Sequence, residues 1–229
     1  MKFIVIEGLD GSGKSTQIKF LLKYLESKNL LYQYLHFPRT DSPVYGELIA
    51  RFLRGDLGKL ETVHPYLVAL IYAGDRNDAK EMISKWLNDG CYVIADRYVN
   101  SNIAFQCAKL KDHQARLDLK DWIIHFEYDY HKIPRPDLNL FLDVPFEFTK
   151  KKLTASREGD DRRYLNGQKD IHEKSLEFQK KVREVYLEIS EFDPSFVRIE
   201  CTGRKGEILS PEEIFDQIIN QLNINIFDL

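Results

Sequence analysis

Short, apolar-rich runs alternate along this chain with longer segments in which apolar residues recur every three or four positions. The runs Phe3–Ile6, Leu31–His36, Tyr92–Ala95, Leu138–Leu142 and Phe196–Ile199 have the length of strands. The unbroken apolar run Phe3–Ile6 reads as a buried strand. Between the runs lie helical periods, as in Ile18, Leu21, Leu22 and Leu25. Strand and helix in alternation predict an α/β fold, a five-stranded parallel sheet flanked by helices. Two helix starts are marked. Ser42-Pro43 precedes Val44, Leu48, Ile49 and Phe52, and Ser210-Pro211-Glu212-Glu213 joins a cap, a first-turn proline and a capping-box glutamate. Both helices are expected to be short and amphipathic. One stretch departs from the alternation: 149–170 is polar, with six charged residues between Arg157 and Arg163, and reads as mobile. No repeat or Gly/Pro/Ser-rich linker divides the chain, so residues 1–229 are expected to form one domain.

The first strand runs into Gly8-Leu9-Asp10-Gly11-Ser12-Gly13-Lys14-Ser15, followed by Thr16, which fits the pattern G-x-x-x-x-G-K-[ST] between a strand and a helix. This is a phosphate-binding loop. Glycines let the backbone curl until successive N–H groups point inward, Lys14 adds a point charge for the outer phosphates, and the Ser15 hydroxyl suits Mg²⁺.

In open α/β sheets, ligands bind beyond the carboxyl ends of the strands. There the second and third runs end in Phe37-Pro38-Arg39 and Asp96-Arg97-Tyr98. Two guanidinium groups beside the Walker lysine give more positive charge than one ATP needs, which implies a phosphorylated acceptor. The plainer alternative is that Arg39 and Arg97 form ion pairs. Asp96 and Asp143 each close an apolar run. Adjacency to Arg97 favours Asp96 as the carboxylate that orients Mg²⁺ through water, with Asp143 structural.

Composition narrows the classes. The chain of 229 residues is 43% hydrophobic, enough for one well-buried core, and its net charge of -3 gives no polyanion-binding surface, so no nucleic acid is expected as partner. Cys91, Cys107 and Cys201 are odd in number and widely spaced, suggesting neither disulfides nor zinc. The longest apolar stretch, Leu67–Ala73, is too short to cross a bilayer, and the expectation is a cytoplasmic protein with no membrane partner. The histidines His36, His64, His113, His125, His131 and His172 show no metal-binding spacing.

The loop GLDGSGKST, then FPR, Tyr72-Ala73-Gly74-Asp75-Arg76, DRYVNSNIAF and Pro136-Asp137-Leu138 occur in the order and spacing of one family. The chain resembles thymidylate kinase over most of its length. The resemblance implies a P-loop nucleoside triphosphate hydrolase fold, ATP as co-substrate with Mg²⁺, dTMP as acceptor, and a homodimer to which Val68, Leu70 and Ile71 would contribute. It further implies that Phe37, Arg39 and Arg97 hold the dTMP end, with the two arginines on the 5′-phosphate. Asp10 would approach the sugar 3′-hydroxyl and the acceptor phosphate. Tyr72 would stack on thymine, Arg76 would donate to O4, and Asn102 would meet the N3 edge with Ser101 beside it. Phe105 would crowd the 2′ position. Some family members carry an arginine in the phosphate loop, but this chain has Gly11 there. The resemblance is then to members with arginines in a lid at about 149–170, where Arg157, Arg162 and Arg163 are the candidates. His172, in the helix expected after that lid, stands where related enzymes have tyrosine, and neither it nor Glu173 receives a role.

The expected chemistry is transfer of a phosphoryl group from ATP to an anionic phosphate oxygen, with Lys14, Arg97 and a lid arginine as catalytic groups beside Asp10. Two alternatives are a deoxynucleoside kinase, which needs a carboxylate base, and a nucleotide-dependent switch or binding protein. The absence of an [NT]-K-x-D motif weighs against the switch.

Overall fold

The computed structural model describes residues 2–154, 164–165, 170–173 and 175–226. Arg157, Arg162 and Arg163 lie outside the described residues. Strands β1 (Phe3–Gly8), β2 (Tyr32–His36), β3 (Tyr92–Asp96), β4 (Leu138–Asp143) and β5 (Phe196–Glu200) form one sheet in the order β2-β3-β1-β4-β5. Every neighbouring pair is parallel. This is the architecture expected from the alternation. Four strands extend one or two residues past their apolar runs, because ladder pairing such as Ile6↔Asp96 and Asp143↔Glu200 continues where hydrophobicity stops.

The strand period of two sends Phe3 and Val5 to one face and Ile4 and Ile6 to the other. Helices α1 (Lys14–Ser27) and α8 (Pro211–Asn225) cover the second face with Ile18, Leu21, Leu25, Ile214, Ile218 and Leu222. The first face is covered by α3 (Pro65–Asn88), α4 (Val99–Cys107), α5 (His113–Ile124) and α7 (Leu176–Phe192), with α2 (Tyr45–Arg54) packed on α3. The chain leaves β1 toward β2 on one side and returns from β3 to β4 on the other. Loops therefore diverge at the β1/β3 boundary, where α/β sheets place ligands.

Several local expectations need correction. The Ser210 start is a complete capping box, but α8 runs for 15 residues and is not short. Ser42 does not cap α2. Tyr45 N donates to Pro43 O at 2.8 Å with Val44 at φ 63, ψ −74, a γ-turn, and α2 begins at Tyr45. The Ser42 hydroxyl turns instead to Asp75 Oδ1, 3.3 Å away. The polar stretch is structured at both its ends. Residues 149–154 complete helix α6 (Phe146–Thr154) with Thr149 buried, and Asp170 is buried against the site. His172 lies in a turn before α7. Val68, expected at a dimer face, belongs to the core, whereas Leu67 and Leu70 are exposed. Asp143 is structural: its buried carboxylate takes two bonds from Arg183 at 2.6 and 2.9 Å and one from Arg198 at 2.8 Å.

Candidate active site

A cavity of about 1330 Å³ opens at the carboxyl ends of the strands. That exceeds the roughly 300–1,000 Å³ typical of a cleft for one drug-sized ligand. It is lined by Asp10 to Thr16, Phe37, Arg39, Tyr72, Arg76, Asp96, Arg97, Ser101, Asn102 and Phe105, joined by Asp170 and His172. The fold thus brings most of the predicted site residues together. Gly8 and Leu9 are the exceptions among the described ones. The Leu9 side chain belongs to the core, and both residues turn their carbonyls to Lys14 Nζ, at 3.4 and 3.2 Å.

At the loop, Gly13 adopts φ 91 immediately before α1, a conformation that favours glycine and aims the helix N-terminus at the cavity. The Ser12 hydroxyl is buried with no partner among the described residues. Burial weakens the Lys14 ammonium and Arg97 adds to the effect, so its pKa is lowered even though Asp96, Asp10 and Glu7 pull the other way. Burial alone would raise the Asp96 carboxyl, but Lys14, His36 and Arg97 outweigh it and hold the group below its usual range. Its Oδ2 lies 3.3 Å from His36 Nδ1, and its Oδ1 is buried and has no partner among the described residues.

Both clamp arginines are ion-paired. Arg39 reaches Asp75 through Nε at 2.9 Å and Asp78 through Nη2 at 2.5 Å, while its backbone N–H donates to Asp75. The small residues behind it are a packing requirement: a side chain on Gly74 would strike the Tyr45 ring, and one on Gly46 would strike the Arg39 carbonyl. Arg97 holds φ 69, an uncommon conformation for a residue other than glycine, at the turn from β3 to α4. Its Nη2 pairs with Asp10 Oδ1 at 2.6 Å, and its Nη1 meets Ser101 Oγ at 3.0 Å. Beneath it the wholly buried Glu7 accepts from Tyr98 N, Ser101 N, Ser101 Oγ and Tyr186 Oη, over 2.5 to 3.1 Å. The Ser101 hydroxyl is therefore committed to the frame that holds Arg97. Burial would raise Asp10, but Arg97 and Lys14 outweigh it, and Gln179 donates to its Oδ2 at 3.1 Å, so it stays ionised.

At the far end of the cavity, Arg76 is sealed inside α3 against Glu127, with Asn102 beside it. The wall between the two ends is aromatic. Phe105 lies 5.1 Å under the Arg97 guanidinium and 4.9 Å from the His172 ring. Burial, with Lys109 nearby, drives the His172 pKa down to about 3, so the ring is neutral. Burial and the negative Asp10 push the Asp170 carboxyl up to about 7.

One cavity thus holds a glycine-rich loop at a helix N-terminus, two further arginines and a buried Arg76–Glu127–Asn102 cluster. The thymidylate kinase family model matches residues 6–210. The chain belongs to the thymidylate kinase family. It is 33% identical to the probable thymidylate kinase of Methanococcus vannielii, over the whole chain and 98% of that protein. To the thymidylate kinase of Plasmodium falciparum it is 30% identical over 90% of the chain and 85% of that protein. The solved thymidylate kinase from Candida albicans superposes with a TM-score of 0.73 at 27% identity, covering 98% of this chain and 92% of that one.

Three residues that hold the cavity's charged groups, Glu7, Gln179 and Glu127, are not among the site residues the sequence pattern suggests. Glu7 was readable in part, as an acidic residue closing a buried strand just before the loop. Gln179 and Glu127 carry no such mark. They come from helical segments far along the chain, and only the fold sets them beside Asp10 and Arg76.

Proposed function

We propose that the chain transfers the γ-phosphoryl group of ATP to dTMP, giving dTDP and ADP for the supply of dTTP. One observation carries the reading: the phosphate-loop residues Asp10 to Thr16, the pair Arg39 and Arg97, and the pair Arg76 and Asn102 all line one cavity. ATP would lie on residues 8–16. The dTMP phosphate would exchange with Asp10 and Asp78 as partner of Arg97 and Arg39, thymine would stack on Tyr72, and Phe105 would flank the sugar.

The acceptor oxygen is already anionic near neutral pH, so no general base is needed. The P–O bond to the β-phosphate breaks as the bond to the acceptor oxygen forms. Lys14, Arg97 and one of Arg157, Arg162 and Arg163 neutralise the charge and hold the two nucleotides in line. The hydroxyl of Ser15 and the Oδ1 of Asp96, unpartnered among the described residues, are hard oxygen donors on the cavity wall, a set that suits Mg²⁺. Bound there, Mg²⁺ would supply charge neutralisation for the phosphates.

The proposal takes residues 1–229 as one domain with a lid at about 149–170. It includes a homodimer through the exposed α3 residues Leu67 and Leu70 with Ile71. Three free, buried cysteines suit a reducing compartment, the cytoplasm. Among the described residues no helix is long and apolar enough to cross a membrane.

A coupled assay with ATP, offering dTMP and thymidine in parallel, tests the reading. Rapid ADP release with dTMP and little with thymidine is the expected result. Preference for thymidine would make it a deoxynucleoside kinase, and acceptor-independent hydrolysis would make it a switch.

A further inference from the structure

We infer that Glu127 is a positioning residue that sets which base the cavity accepts, an inference that rests on the dTMP reading above. Glu127 lies in a π-helical turn, His125–Tyr130, that continues α5. Such turns widen a helix by one residue and recur at functional sites. This one delivers a carboxylate into the core with no solvent exposure.

Every oxygen of that carboxylate is engaged. Oε2 accepts from Arg76 Nε at 2.5 Å, and Oε1 accepts from Arg76 Nη2 at 2.7 Å and from Asn102 Nδ2 at 3.0 Å. Asn102 Nδ2 also donates to the Ala69 carbonyl at 3.1 Å. Both amide hydrogens thus go to groups that can only accept, which determines which way the amide faces. Its Oδ1 is left buried and without a partner among the described residues. Arg76 likewise has Nε and Nη2 committed, while its Nη1 makes no hydrogen bond among the described residues. Both side chains line the cavity.

What remains for a ligand is a donor pair on Arg76 and an acceptor on Asn102. That pattern complements a pyrimidine bearing a carbonyl at position 4 and N–H at position 3. Cytosine presents the reverse, an amino group and a bare ring nitrogen. The pattern is written by Glu127, because an ionised carboxylate has no hydrogen to offer. A glutamine there would offer both a donor and an acceptor, and the Asn102 amide could turn over.

Stability does not explain the carboxylate, since replacing a buried ion pair by apolar residues is often neutral or favourable. Specificity does. A site built to hydrogen-bond its substrate rejects a mismatched one far more strongly than a hydrophobic contact can.

The test uses the full chain carrying Glu127→Gln, with Glu127→Asp as a second variant. Aspartate keeps a negative partner for Arg76 but is one methylene too short to serve both neighbours. Circular dichroism melting first establishes that each variant is folded, and kcat and KM are then measured for dTMP, dCMP and ATP. The expected result for Glu127→Gln is a fall of at least about tenfold in the dTMP over dCMP preference in kcat/KM. A higher KM for dTMP should carry that fall, with KM for ATP unchanged. Glu127→Asp should shift the preference in the same direction by less, and it decides the matter if the glutamine variant does not fold. A folded variant with the preference of the unmodified chain overturns the inference. So does an equal loss of kcat on both nucleotides, which would make Glu127 scaffold alone. An unmodified chain with no preference for dTMP overturns the base-pocket reading itself, a separate failure.

Discussion

The two ends of the cavity both pair arginine with carboxylate, and they do so in opposite ways. At one end, proposed above to take the base, the Arg76 and Glu127 side chains are 2% and 0% exposed, joined by two short parallel bonds. At the other, proposed to take the acceptor phosphate, Arg97 and Asp10 are 10% and 24% exposed, and Arg39 shares its guanidinium with the half-exposed Asp78. A sealed pair cannot exchange partners without leaving a bare charge in the core, so it belongs to the framework. A pair open to the cavity can release its arginine to an incoming phosphate that binds the same fork bidentately. On the proposed reading, the carboxylates at the loop end would hold Arg39 and Arg97 in place until a phosphate replaces them.

If this contrast is right, the largest effect on stability comes from the sealed end. Arg76→Met should cost about 3–5 kcal/mol, because Glu127 is left buried and unpaired. Arg97→Met should change stability by about 1 kcal/mol or less in denaturant titration, since Asp10 keeps Lys14 and Gln179 and part of its surface faces water. Equal losses in the two variants would erase the distinction.

Activity should rank the ends the other way. Lys14→Ala and Arg97→Met should each lower kcat by about 10²–10³ in the coupled assay, as expected for removing one charge-stabilising donor. Near-normal turnover in Lys14→Ala would remove the loop from the chemistry.

A smaller effect sharpens the comparison at the boundary between the ends. Asp170 keeps its proton up to about pH 7 in the folded chain against a usual value of 3.8, so its contribution favours folding at low pH and is lost as pH rises across that window. His172 runs in reverse: its value falls from 6.5 to about 3, so stability is lost as pH drops below 6.5. The two slopes oppose each other between roughly pH 4 and 6.5. Asp170→Asn should uncover the histidine slope, up to about 1.4 kcal/mol per pH unit, seen as a melting temperature that falls more steeply on acidification. Unchanged pH dependence in this variant would show that the two groups do not titrate as described.

The smallest contrast lies within the base pocket. The thymine methyl offers only a hydrophobic contact of about 1–3 kcal/mol, so dUMP should be a poorer substrate than dTMP without being excluded. A ratio of kcat/KM near unity would place the methyl outside the pocket.

Much of this arrangement was readable in the chain, for identifiable reasons. The sheet could be read because short apolar-rich runs alternate with segments of helical period, and the phosphate loop because its function is a property of contiguous backbone. Arg39 and Arg97 stood out by following strand ends. The start of α2 was misjudged because Ser42-Pro43 resembles a helix entry, whereas the Ser42 hydroxyl is drawn to Asp75 on another helix. Val68 was misplaced because an apolar residue looks alike at a surface and in a core. The π-helical turn had no readable signal, since one extra residue in a helical period leaves the apolar spacing nearly unchanged.

Composition and spacing alone were sufficient for the parallel sheet, the loop that cradles phosphate and the presence of two further arginines, because each depends on residues adjacent in the chain or on strand ends. They could not reveal which carboxylate each arginine would meet. Arg76 and Glu127 are 51 positions apart, and Arg97 and Asp10 are 87 apart. Such partnerships arise when packing excludes water and every buried charge must be satisfied by whatever the folded chain brings within reach.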